Sequence, residues 1–155
     1  MAVDIGHEAP DFTLKDREGN HVSLSSFRGK KNVVLLFYPL AFSGVCTTQL
    51  SEVGAGYDTY TDGDAQVVAV SVDSFFCQGA FQDQVGADQA LFLADFEPKG
   101  AVARAYGVYL DLGWSTRAAF VIDKAGIVQH ADVMAVPTDR PDEAAYLASL
   151  STCAV

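Results

Sequence analysis

The chain has 155 residues, half of them apolar and about a fifth charged, which suits a single globular domain over 1–155 with a sizeable core. Twenty acidic against ten basic side chains leave a formal charge of −10, which repels phosphate backbones and anionic headgroups and argues against nucleic acid and membrane surfaces as partners. No run reaches the ~18 apolar residues of a membrane span, and Met1–His7 has no basic segment leading into an apolar one, so a cytoplasmic location is expected.

Taken in order, Phe12–Lys15 and His21–Leu24 are short strand-like runs around the turn-rich Asp16-Arg17-Glu18-Gly19-Asn20, an N-terminal β-hairpin. Val33–Tyr38 reads as a strand buried on both faces, and apolar spacing predicts a helix over 44–57. Val67–Val72 is a second continuously apolar strand, followed by a helical pattern over 74–86. A third helix is predicted over 98–106, with Pro98 suited to its first turn. Ala119–Ile122 and Ile127–Val133 flank Asp123-Lys124-Ala125-Gly126, a hairpin turn, and a last helix is predicted over 141–150 with Pro141 at its start. This order describes an α/β protein whose mixed central sheet is flanked by helices, without repeats or linkers.

Chemistry concentrates at Cys46. It sits where the strand Val33–Tyr38 gives way through Pro39-Leu40-Ala41-Phe42-Ser43-Gly44-Val45 to a helix. The unpaired N–H groups and positive dipole end of a first helical turn favour a thiolate, the nucleophilic form of cysteine. No second cysteine follows two residues on, which argues against a dithiol motif and for one attacking sulfur. Three cysteines, an odd number, do not form a disulfide framework. His7, His21 and His130 are scattered, with no metal-ligand spacing, and no glycine-rich phosphate loop is present, so neither metal nor cofactor is expected. Phe37, Tyr38, Phe42, Phe75, Phe76, Phe81, Phe92 and Phe96 read as core or interface, and Trp114 as a pocket or dimer contact.

Pro39-x-x-x-Ser43-x-x-Cys46 after an apolar strand resembles the active-site signature of the peroxiredoxins, as Ala9–Leu14 resembles their opening strand and Ser115–Asp123 the late strand bearing their arginine. Within that family, Pro39–Cys46 and Pro98–Val108 are most similar to the alkyl hydroperoxide reductase E type of actinobacteria. The resemblance implies a thioredoxin-like fold with peroxiredoxin-type insertions. It also implies a thiol-dependent peroxidase that reduces hydrogen peroxide or an organic hydroperoxide through a sulfenic acid on Cys46. Ser43 would present its hydroxyl to the peroxide, Arg117 would hold the sulfur as its anion and polarise the peroxide, and Pro39 would screen the sulfur from water. Gln49 stands where many relatives carry a carboxylate, and as a neutral group it can still accept from Arg117.

The sulfenic acid must be reduced by a thiol, for which the resemblance suggests mycothiol with a mycoredoxin, or thioredoxin. Cys77, near the start of the helix after Val67–Val72, and Cys153 in the C-terminal tail are the candidate resolving thiols; catalysis by one cysteine alone ranks ahead of both. The resemblance also implies a homodimer, with Phe42 and Trp114 as contacts. The competing reading of the same site is a peroxide-sensing relay that passes oxidation to a partner protein.

Overall fold

The structure, a computed structural model, describes residues 3–153. Seven strands form one mixed sheet: β1 (Thr13–Lys15), β2 (His21–Ser23), β3 (Asn32–Phe37), β4 (Ala65–Ser71), β5 (Leu91–Ala94), β6 (Ala118–Ile122) and β7 (Val128–Val133), in the spatial order β2-β1-β5-β4-β3-β6-β7. Among the described residues five α-helices accompany it, α1 (Gly44–Ala55), α2 (Asp58–Asp62), α3 (Phe75–Val85), α4 (Ala101–Ala105) and α5 (Glu143–Ser151), with a short 3-10 turn over Leu24–Phe27. The α/β class, the thioredoxin-like mixed sheet and the N-terminal hairpin stand as the sequence suggests.

Side chains of β3 alternate between two cores, as the two-residue period of a strand requires. Val34, Leu36 and Tyr38 join Leu50, Tyr60, Phe81 and Tyr146 from α1, α2, α3 and α5 on one face. Val33, Leu35 and Phe37 join Phe12, Val102 and Tyr106 on the other. A strand covered on both faces has no polar side, which is why β3 and β4 are continuously apolar in sequence.

Pairing direction decides where the chemistry lies. β3 and β4 are parallel, so the chain leaves both at the same edge of the sheet. β6 runs antiparallel to β3 with Phe37 opposite Ala118, so the start of β6, and Arg117 just before it, lies beside the end of β3. The segments carrying Cys46, Asp73 and Arg117 thus converge at one edge although they are far apart in sequence.

Several expected boundaries move for local reasons. The helix over 44–57 stops at Gly56, whose N–H caps Glu52 O, and a separate short α2 follows. The helix over 98–106 shrinks to α4, because Gly100 at its N-cap takes a left-handed φ of 73° and breaks the path from Pro98. Asp95 Oδ1 and Oδ2 then accept from the N–H groups of Val102 and Ala103, tying that helix start to the end of β5. Pro141 precedes the N-cap rather than entering the first turn; Asp142 caps α5 by accepting from Ala145 N. Strand β5 is absent from the sequence reading because Leu91-Phe92-Leu93-Ala94 has no β-branched residue and is too short for periodicity to reveal. Of the aromatics read as core or interface, Phe42, Phe76 and Phe96 are exposed.

Gly100 also positions the loop beside the site. A Cβ there would stand 2.3 Å from the Tyr109 ring, and Tyr109 begins the turn that closes through a bridge to Ser115 and carries Trp114. Gly100→Ala therefore meets both a left-handed backbone and a clash. It is expected to lower unfolding free energy by about 2 kcal/mol or more, measured by urea denaturation.

Candidate active site

Helix α1 begins at Gly44 after an extended Ser43 at the N-cap (φ −71°, ψ 154°). That places Cys46 in the first turn, among N–H groups that lack intrahelical acceptors. The Ser43 hydroxyl does not cap the helix: it donates instead to Leu40 O at 2.8 Å, which leaves its oxygen lone pairs free to accept. Phe42, just before it, has a φ of 68°, a left-handed conformation that a bulky residue rarely adopts.

Cys46 is 0 % exposed and Arg117 2 % exposed. Arg117 Nη1 donates to Cys46 Sγ at 2.9 Å and to Gln49 Oε1 at 3.1 Å, while Nε donates to Pro137 O at 3.0 Å. Cys46 and Gln49 are three residues apart on α1 and so share a helix face. Among the described residues no carboxylate lies within ion-pair distance of Arg117. A guanidinium removed from water without an anion is strongly disfavoured. Among the described residues the Cys46 sulfur is the one group touching it that is able to carry a negative charge.

A cleft of about 310 Å³ opens beside this pair. Its walls are mostly apolar, from Pro39, Leu40, Val45, Trp114 and Pro137, with Ser43 and Arg117 as polar groups. Cys46 does not line the cleft itself; Arg117, which does, touches its sulfur. The arrangement offers a small molecule an apolar wall, a hydroxyl that can accept, a fixed cationic donor and a thiol sulfur held against that donor.

The structure thus brings together Pro39, Ser43, Cys46, Gln49 and Arg117 and leaves the other two thiols elsewhere. Cys77 lies half-buried in the first turn of α3, where its thiol approaches Asp73 Oδ1 at 3.8 Å. Burial, and then the negative charge of Asp73, push that thiol above its ordinary range. Cys153 follows α5, with its thiol 3.6 Å from Ser149 O, and burial likewise pushes it up. All three cysteines are free. Sequence reasoning missed Pro137, whose carbonyl orients Arg117; the run Pro137-Thr138-Asp139-Arg140-Pro141 reads only as a loop, and nothing in it signals where a carbonyl will point.

A thioredoxin-like sheet with a buried thiol–guanidinium pair at a helix N-terminus defines a thiol redox protein. Residues 5–131 match the AhpC/TSA family, and the chain belongs to that family, the peroxiredoxins. It is 38% identical over 132 residues to alkyl hydroperoxide reductase E of Mycobacterium tuberculosis, covering 84% of this chain and 86% of that protein. In three dimensions it is similar to peroxidoxin BcpB of M. tuberculosis, with a TM-score of 0.84 at 28% identity over 97% of this chain and 98% of the other. The reduced 2-Cys peroxiredoxin of Plasmodium vivax gives a TM-score of 0.83 at 28% identity, covering 94% and 79%. The protein is a thiol-dependent peroxidase.

Thiols held above their ordinary range stay protonated at neutral pH and become nucleophilic only as the pH rises through the shifted value. In a Cys46→Ser protein, iodoacetamide is therefore expected to label Cys77 and Cys153 more slowly at pH 7 than it labels an ordinary exposed cysteine, with the rate rising as the pH is raised and levelling off later than for that cysteine. Peptide mapping of the labelled protein against pH measures this.

Proposed function

We propose that Cys46 is the attacking sulfur and that the enzyme works by a one-cysteine cycle. The observation that carries this reading is the 2.9 Å contact between Cys46 Sγ and a buried guanidinium with no carboxylate partner among the described residues. Hydrogen peroxide or an organic hydroperoxide enters the cleft and donates its O–H to Ser43 Oγ. The thiolate attacks the distal oxygen in line with the O–O bond. A sulfur–oxygen bond forms as the O–O bond breaks, and the electron pair leaves on the proximal oxygen as alkoxide or hydroxide. The developing charge is stabilised by Arg117 and the first-turn N–H groups of α1 until it takes up a proton. Sulfur is oxidised to the sulfenic acid, and the peroxide is reduced to an alcohol or water. Pro39, without an N–H, covers the sulfur without competing for its charge.

A thiol then attacks the sulfenic sulfur, releasing water and forming a mixed disulfide; a second thiol frees Cys46. Mycothiol with a mycoredoxin, or thioredoxin, is the reductant this reading assigns. The raised thiols of Cys77 and Cys153 support an external reductant over an internal one, because the resolving thiol must also ionise. We further propose a cytoplasmic homodimer with Phe42, 46 % exposed, and half-buried Trp114 near its contact.

Cys46→Ser is expected to abolish peroxide consumption, and Cys77→Ser and Cys153→Ser to leave the first oxidation step near the wild-type rate, measured by stopped-flow competition kinetics. Normal turnover by the Cys46 variant would overturn the assignment. Arg117→Lys keeps a charge but loses the planar fork that reaches Cys46, Gln49 and Pro137 together. Its oxidation rate constant is expected to fall by about 10²-fold, the typical cost of a lost transition-state donor. Mass spectrometry after one equivalent of peroxide should show a gain of one oxygen; a loss of two hydrogens would indicate an internal disulfide instead.

A further inference from the structure

We propose that Asp73, which lies outside the cleft, is a positioning residue for the peroxide-binding turn Leu40–Ser43. The inference rests on the reading of Cys46 and Ser43 given above. Asp73 follows β4, the strand beside β3, and its carboxylate is locked in place. Ser71 Oγ donates to Oδ2 at 2.6 Å, and Asp73 N–H donates back to Ser71 Oγ at 3.2 Å. The same Oδ2 accepts from Ala41 N–H at 2.8 Å, a link across 32 residues from one strand end to the turn after the next. The Cys77 thiol touches the other oxygen.

The turn that Asp73 grips has an unfavourable backbone. Phe42 sits at a φ of 68°, with its ring against Phe81 at a centroid distance of 5.2 Å. Ser43 closes the turn onto Leu40 O through its N–H at 3.4 Å and its hydroxyl at 2.8 Å. If the Ala41 amide loses its acceptor, the turn keeps only the Phe81 packing and the Ser43–Leu40 bonds against relaxation of Phe42 toward negative φ, and that rotation swings the Ser43 hydroxyl. The Arg117–Cys46 contact lies on a different set of elements, α1 and the start of β6, and does not pass through this turn. Asp73 should therefore matter to how the peroxide is held and not to whether the sulfur is a thiolate.

Two reactions of the same sulfur separate these roles. Hydrogen peroxide needs the turn in place, whereas iodoacetamide needs only the thiolate and a path to it, and because Cys46 is 0 % exposed a loosened turn widens that path and does not close it. In the full chain, with Trp114, the single tryptophan, as fluorescence reporter, Asp73→Ala is expected to lower the rate constant for oxidation by hydrogen peroxide about ten- to a hundredfold without lowering the rate of Cys46 alkylation. Asp73→Asn keeps an oxygen for the Ala41 amide and should recover most of the loss. An equal fall in both reactions, or a wild-type peroxide rate in Asp73→Ala, overturns the proposal. Should Asp73→Ala fail to fold, Ser71→Ala, which removes the anchor and leaves the carboxylate, should show the same selective loss in smaller degree; a proportional loss or none overturns it equally. A wild-type protein whose Cys46 is alkylated but does not consume peroxide would instead refute the peroxidase reading of the site.

Discussion

The buried guanidinium of Arg117 is the constraint around which this end of the molecule is arranged. Taking such a group out of water is unfavourable unless its N–H donors and its charge are both met. Pro137 O and Gln49 Oε1 meet two donor directions with neutral oxygens, and the charge is left to Cys46. A carboxylate at Gln49 would share that charge with the sulfur. The neutral amide leaves the sulfur, among the described residues, as the group against the guanidinium that can carry an opposing charge, and the proposed nucleophile is that same atom.

The sheet exists, for function, to bring that contact about. Arg117 and Cys46 are 71 residues apart and meet because β6 is antiparallel to β3 with Phe37 opposite Ala118. The parallel pairing of β3 with β4 brings Asp73 to the same edge, where it holds the Ala41 amide. The two cores fix these strands from both faces, so the positions of the polar groups at the edge follow from the packing of side chains such as Leu36, Tyr38, Phe81 and Phe120 in the interior. Interiors packed at crystal-like density transmit little slack, and a hydrogen bond of 2.8–3.0 Å needs that rigidity.

The other thiols show how much environment decides. Cys77 also sits in the first turn of a helix, with Ser74 capping the turn, so its helix position alone resembles that of Cys46. Burial, and then a neighbouring carboxylate instead of a guanidinium, favour the neutral thiol there. A helix N-terminus supplies a partial charge; a full charge of either sign at contact distance outweighs it.

By itself the sequence determined the elements whose signals are local: the continuously apolar β3 and β4, the N-terminal hairpin, the turn at Asp123–Gly126, and Cys46 between a proline, a hydroxyl and a helix start. Such features depend on neighbours a few residues away, which a sequence displays directly. Tertiary structure alone decided what depends on pairing. It gave the short β5 a place between β1 and β4, ended α1 at Gly56 and delayed the start of α4 to just after Gly100. It set the Pro137 carbonyl on Arg117 and joined Asp73 to Ala41. The resemblance pointed to Arg117, yet the absence of a carboxylate against it among the described residues is a property of three dimensions. Distances of about 3 Å between residues tens of positions apart are set by strand direction and register, and neither is written in any local stretch of the chain.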